Sequence, residues 1–241
     1  MDPAPPTAAP VALVTGASGN LGSAVARALR GAGWNTVLAD RSAERLRLAV
    51  GATGPGAEPL LIDGVDLTDP DDARRMVERA TARFGALDAV INTVGAHRAG
   101  HAVHEDELET WDLLLRANLR TALVTCRAAL PGMLARGRGR IVNVASRDAL
   151  AGAAGAAAYG ASKAALLRFT ESLAAETLGR GITANCVLPG AMDTPQNRAA
   201  LPPSEHPRLL APAAIADVIV FLASDAARAI TGAAIPLTAA G

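Results

Sequence analysis

Aromatic side chains are nearly missing from this chain: three Phe, two Trp and one Tyr in 241 residues. The core must then be built from Ala, Val and Leu, which favours helices packed closely on a sheet over a sandwich of bulky residues. Cysteine is as scarce. Cys126 and Cys186 lie 60 residues apart in apolar stretches and belong to no Cys-x-x-Cys pair. Buried free thiols are expected there, not a disulfide or a zinc site. Neither sign of charge is in excess, the formal net charge being zero. No field for nucleic acid or anionic lipid is implied. Long apolar runs are absent too; the longest uncharged small-residue stretch, 149–161, is too short and too Gly-rich to span a bilayer. Residues 1–10 are Pro-rich, lack the basic start and apolar run of a signal peptide, and read as a disordered tail. A cytoplasmic protein with no membrane or nucleic-acid partner is expected.

Lysine is the rarest charged residue. Lys163 is the only one, and it stands four residues after Tyr159, the only tyrosine. On a helix that spacing puts both on one face, a turn apart. An ammonium near a phenol favours the phenolate and lowers its pKa from about 10. The pair would then serve as a proton donor and acceptor near neutral pH.

Along the chain, short apolar runs alternate with amphipathic stretches. Residues 11–15 read as a strand, followed by the glycine turn Gly16-Ala17-Ser18-Gly19-Asn20-Leu21-Gly22 and an Ala-rich helix to Leu29. Such a turn lets backbone approach a pyrophosphate at a helix N-terminus. Further strands are expected at 35–39, 60–65, 87–92, 140–145, 182–188 and 233–237. A loop is expected over 51–59, and helices over 70–84, 105–133, 157–178 and 212–223. Asp69 is the expected N-cap of the 70–84 helix, and Gly179 closes the 157–178 helix. Continuous apolar strands are the mark of a sheet covered on both faces. The pattern predicts one α/β domain over 11–241, a doubly wound parallel sheet of about seven strands with helices on both faces. Gly16, Asp40, Asp66, Asn92, Ser146 and Pro189 all fall at strand carboxyl ends, the ligand edge of such sheets.

These motifs, taken in order, resemble the short-chain dehydrogenase/reductase family over residues 10–241. The match consists of Thr15-Gly-x-x-Gly-x-x-Gly22, Asp66, Asn92-x-x-Gly95, Asn118, Ser146, Tyr159-x-x-x-Lys163, and Pro189-Gly190 followed by Thr194. The resemblance implies a Rossmann-type fold and a hydride transfer between a nicotinamide cofactor and a small carbonyl or alcohol substrate. It implies Tyr159 as general acid in reduction and base in oxidation, and Lys163 on the nicotinamide ribose. Ser146 would hold the substrate carbonyl, and Asn118 a water that links Lys163 to solvent. Gly16, Ser18, Asn20, Leu21, Asp40, Arg41, Asp66, Leu67, Asn92 and Gly95 would line the rest of the cofactor site. Pro189, Gly190, Met192 and Thr194 would hold the carboxamide. A homodimer or homotetramer, paired through the 105–133 and 157–178 helices, is implied as well.

The sequence departs from the family pattern in places. Asn20 stands where a glycine is usual; asparagine is the residue that best tolerates a left-handed backbone. Thr93 replaces an asparagine beneath the adenosine ribose. The end, Thr238-Ala239-Ala240-Gly241, lacks the usual Asp-Gly-Gly. The short segment 193–202 looks like that of dihydropteridine-reductase-like members, though a trimmed loop is the simpler reading. Asp40 favours NAD(H) by accepting a ribose 2′-hydroxyl, while Arg41 beside it leaves NADP(H) possible. His97, His101 and His104, with Glu105 and Asp106, lack regular spacing; they line the substrate mouth or are solvated, and no metal is expected. Arg147 could reach an acidic or polar substrate, a solvated arginine being the commoner outcome. Two other readings stay open: a non-catalytic dinucleotide-binding sensor or scaffold, and a pterin-type reductase or epimerase.

Overall fold

The structure is a computed structural model that describes residues 9–51 and 58–239. Most of the expected tail (residues 1–8), most of the expected 51–59 loop (52–57) and the final Ala240-Gly241 lie outside these described residues. Of the expected tail, Pro10 is held: its carbonyl accepts from the Asn35 N–H at 2.9 Å.

Seven parallel strands form one sheet, in the order β3-β2-β1-β4-β5-β6-β7. They are β1 (Val11–Thr15), β2 (Asn35–Ala39), β3 (Leu60–Ile62), β4 (Ala89–Asn92), β5 (Gly139–Val144), β6 (Ile182–Pro189) and β7 (Ala234–Leu237). The helices are α1 (Asn20–Gly31), α2 (Ala43–Gly51), α3 (Pro70–Phe84), α4 (Leu108–Leu115), α5 (Thr121–Arg136), α6 (Ala157–Glu176), α7 (Pro195–Ala200) and α8 (Pro212–Ala223). Both sheet faces are covered. Ala12 and Val14 of β1 pack with Val25 and Leu29 of α1 and Ile215 and Ile219 of α8. Val11 and Leu13, one residue out of phase, pack with Met76 of α3 and Cys126 and Met133 of α5. Each fully buried leucine of this kind contributes about 1.5–3 kcal/mol.

Local chemistry sets the helix ends. The Asp69 side chain accepts from the N–H groups of Asp71 and Asp72, and Pro70 opens α3. Gly85 (φ 85°) and Gly137 (φ 63°) close α3 and α5 in conformations that a side chain would strain.

Several expected elements differ from those found. The third strand pairs only over Leu60–Ile62, because Asp63 and Gly64 (φ 70°) turn the chain away before Val65. The expected 105–133 helical region runs without interruption over 108–136, but as α4, a π-helical turn Arg116–Arg120 with Asn118 at its centre, and α5. Asn20 needs no left-handed backbone. It is the first residue of α1, and no described non-glycine residue has positive φ. Helices α2 and α7 were not foreseen.

A buried polar rail crosses the sheet and fixes α6. Thr15 Oγ1 donates to Asn92 Oδ1 at 3.3 Å, Asn92 Nδ2 to Asn143 Oδ1 at 2.8 Å, and Asn143 Nδ2 to Thr170 Oγ1 at 2.8 Å. All four residues are buried. Their mutual satisfaction couples the register of β1, β4, β5 and α6.

Candidate active site

The strand order reverses between β1 and β4, which opens a crevice at their carboxyl ends. A cavity of about 720 Å³ lies there, lined by Gly16, Ser18, Asp40, Arg41, Asp66 and Gly95 among others. Glycine makes close approach possible. A Cβ on Gly22 would stand 2.2 Å from the Gly16 carbonyl oxygen. Gly16 itself has φ 67° and lies against Thr93 and Val94. The start of α1 has Gly19, which lines the cavity, as N-cap and no side-chain cap bond, leaving its first-turn N–H groups uncapped by a side chain as an anion site needs. These features fit a dinucleotide pyrophosphate.

At the adenosine end the polar side chains are ordered by one another. Asp40 Oδ2 accepts from the Ser18 N–H at 3.1 Å and from Ser18 Oγ at 2.6 Å, which ties the glycine turn to the end of β2. Asp66 Oδ1 accepts from Thr68 N and Thr68 Oγ1. Those bonds hold the Asp66 carboxyl below the usual range. Leu67 lines the same cavity. Thr93 Oγ1 donates to the Thr15 carbonyl at 2.7 Å, so the departure at this position is absorbed by the end of β1. The Asn20 side chain donates to Gln196 Oε1 at 3.1 Å, bridging the turn to α7.

Two of the expected cofactor residues are turned inward. Leu21 packs in the core beside α8, and the Asn92 carboxamide is spent on Asn143 and Cys126. Either can offer a ligand only its backbone.

Beside this cavity, α6 and the segment after β5 bring Tyr159, Lys163 and Ser146 together. Ser146 lies next to the Tyr159 phenol and favours its ionised form. Lys163, 5% exposed, donates to the Val144 carbonyl at 3.0 Å, and its Nζ is 6.0 Å from the Tyr159 ring centroid. The expected lowering of the phenol pKa is not what this geometry produces. Burial pushes the phenol up, Ser146 opposes that, and the Asp148 charge adds to it. The ammonium is directed at a carbonyl, and burial brings its own pKa down to about 8.

Both ends of the Asn118 carboxamide are engaged. Its Oδ1 accepts from Ala96 N at 2.8 Å, while its Nδ2 donates to the Ala96 carbonyl and to Ser162 Oγ. Ser162 Oγ in turn donates to the Tyr159 carbonyl. The side chain is a clamp between the β4 loop and α6. A Cβ on Gly95 would meet Asn118 Oδ1 at 3.0 Å and Lys163 Nζ at 3.1 Å, so glycine is needed for that clamp to close.

Gly190 is anchored to β7, its N–H donating to the Leu237 carbonyl at 3.0 Å. Met192 bridges Leu210, and Thr194 caps α7 by accepting from Asn197 N. Pro189 ends β6, directly before them in the chain.

The sequence reading missed two neighbours of the phenol. His97, taken with His101 and His104 as rim or solvated, stacks edge-on against the Tyr159 ring at 4.6 Å between centroids. Asp148 accepts from the Ser146 hydroxyl at 2.7 Å. Proximity of Asp148 to Ser146 in sequence was the available signal for the second; nothing in the sequence pattern pointed to the first. His101 and His104 are exposed.

The profile of the family described as short chain dehydrogenase matches residues 10–204. The chain belongs to the short-chain dehydrogenase family. It is 34% identical over 243 residues to 2-(R)-hydroxypropyl-CoM dehydrogenase of Xanthobacter autotrophicus, covering 95% of this chain and 97% of that one. It is 34% identical over 234 residues to 3-oxoacyl-[acyl-carrier-protein] reductase of Escherichia coli, covering 92% and 93%. Levodione reductase shares the fold with a TM-score of 0.88 at 28% identity, covering 95% of this chain and 96% of the other. As a short-chain dehydrogenase, the chain is an oxidoreductase of carbonyl and alcohol substrates with a Rossmann-type fold. Among the described residues, no helix is long and apolar enough to cross a membrane.

Proposed function

We propose that this short-chain dehydrogenase uses NAD(P)(H) to interconvert a small carbonyl and its alcohol, with Tyr159 as general acid and base. The observation that carries the reading is the meeting of Tyr159, Ser146 and Lys163 beside a glycine-lined crevice. The cofactor, when bound, supplies or takes the hydride. The start of α1 and the glycine turn hold its pyrophosphate, and Asp40, Asp66, Leu67 and Gly95 its adenosine half. Lys163 gives its ammonium to the ribose hydroxyls of the other half. Pro189, Gly190, Met192 and Thr194 close over the carboxamide. Ser146 orients the carbonyl oxygen of the substrate. Tyr159 delivers its hydroxyl proton to that oxygen in reduction and removes it in oxidation. Burial of the phenol favours its protonated form, which suits reduction near neutral pH.

NAD(H) is the proposed cofactor. Asp40 stands at the ribose end of the cavity and would repel a 2′-phosphate. Arg41 and Arg45 line the same cavity, which keeps NADP(H) as the second arm of the test. Association into a homodimer or homotetramer fits the exposed Leu108, Leu115 and Leu123 on α4 and α5.

Two assays test the reading. Thermal shift with NAD(H) and NADP(H) ranks the cofactors. Turnover is then followed with a panel that includes an acetoacetyl thioester and 4-oxocyclohexanecarboxylate. Tyr159→Phe is expected to keep cofactor binding and to lose turnover at least a hundredfold, on the order of a general acid's contribution. Full turnover by that variant would remove Tyr159 from the chemistry.

A further inference from the structure

Asp148 occupies a place in this site that the serine, tyrosine and lysine do not account for. It sits in the 3-10 turn Arg147–Ala149, directly after β5. Its Oδ2 accepts the Ser146 hydroxyl hydrogen at 2.7 Å, and its own N–H donates back to Ser146 Oγ at 3.2 Å. A serine hydroxyl has one hydrogen to give and two lone pairs. With the hydrogen directed to Asp148, Ser146 is left as an acceptor and has none to give to a phenolate, the contact that would otherwise lower the phenol pKa. The carboxylate charge also reaches the phenol and favours its protonated form. Arg147, next in the chain, does not neutralise Asp148. It is exposed, and its Cδ lies towards Gly190, 3.7 Å from where a Cβ there would stand. The other groups facing the phenol are His97 from the loop after β4 and Lys163 from its own helix.

We propose that Asp148 is a positioning residue for the reaction: it takes the Ser146 hydroxyl hydrogen in the resting site and holds the phenol proton on Tyr159 until a substrate oxygen accepts it. The inference rests on the proposed role of Tyr159. It adds that the pH at which the phenol gives up its proton is set in part by a carboxylate two residues beyond the serine. Ser146 must leave Asp148 in order to donate to a substrate carbonyl, so the same bond also sets how readily the site engages substrate.

The test uses the fact that Tyr159 is the chain's only tyrosine. The phenolate difference absorbance of the full-length protein therefore titrates this one residue, with Tyr159→Phe as the blank. Asp148→Asn keeps the shape and removes the charge; Asp148→Ala removes both; Asp148→Glu restores the charge. The titration midpoint is expected to fall by about one pH unit in the Asn and Ala variants, the scale of one nearby charge, and to return towards wild type with Glu. The alkaline rise of alcohol oxidation should move the same way, to lower pH in the Asn and Ala variants and back with Glu. Circular dichroism checks that each variant folds; should Ala fail, Asn decides. An unmoved midpoint in the folded Asn variant overturns the proposal. The titration needs no substrate, so a protein that turned over no carbonyl would sink the proposed function and leave this result standing on its own.

Discussion

Replacing Lys163 by Met should make the protein less sensitive to alkaline pH, and the size of the change can be worked from the site. Lys163 is 5% exposed, and its ammonium is held by the Val144 carbonyl. Burial, its largest influence, brings its pKa from 10.5 down to about 8, with Cys186 beside it opposing the fall. Below pH 8 the lysine is charged in both folded and unfolded chains, and folding carries the cost of burying the charge. Between about pH 8 and 10.5 the unfolded chain holds more protons, so stability rises with pH. Above that window the cost is gone. At about 1.4 kcal/mol per pH unit, wild type should gain about 3 kcal/mol across it relative to Lys163→Met. The variant also loses the bond to Val144, so the comparison across pH carries the test and a single pH does not. Urea unfolding of both proteins from pH 7 to pH 10.5 measures it. Saturating dinucleotide, whose ribose hydroxyls would accept from the ammonium, should move the window to higher pH. Parallel stability curves for the two proteins would refute the picture of an ammonium kept in a place that penalises its charge.

Two other substitutions test how the site is held. Asn143→Ala removes the middle of the polar rail and leaves Asn92 Nδ2 and Thr170 Oγ1 short of a partner. It should cost about 2–3 kcal/mol in chemical denaturation. Gly22→Ala would put a methyl group 2.2 Å from the Gly16 carbonyl oxygen, so the turn must shift. The expected cost is about 1–3 kcal/mol, together with a loss of dinucleotide binding measurable by calorimetry.

The alternation of apolar runs and helices was legible because the inner strands β1, β4, β5 and β6 are buried on both faces and so read as unbroken runs. Helix α3 was found to the residue, since Asp69, Pro70 and Gly85 mark its ends chemically. The π-helical turn at Arg116–Arg120 was not legible. Its cause is tertiary: Asn118 is drawn to Ala96 and Ser162, which are remote in sequence. The same limit applies to the site. Spacing put Tyr159 and Lys163 on one face of α6, but not where the ammonium points; the end of β5 decides that. Asn92 was read as a ligand residue because it ends a strand, and the structure uses its side chain to join strands instead. His97 reaches the phenol only through the course of a loop, which no periodicity describes.

The most direct measurement is to follow the hydride. Reduced nicotinamide carrying deuterium at C4 of the transferring face is mixed with the protein and a ketone that it turns over, and the product is analysed by mass spectrometry. The account predicts one deuterium on the carbinol carbon with wild type and no labelled alcohol with Tyr159→Phe. Alcohol formed without label, or labelled alcohol formed equally well by the variant, would contradict it.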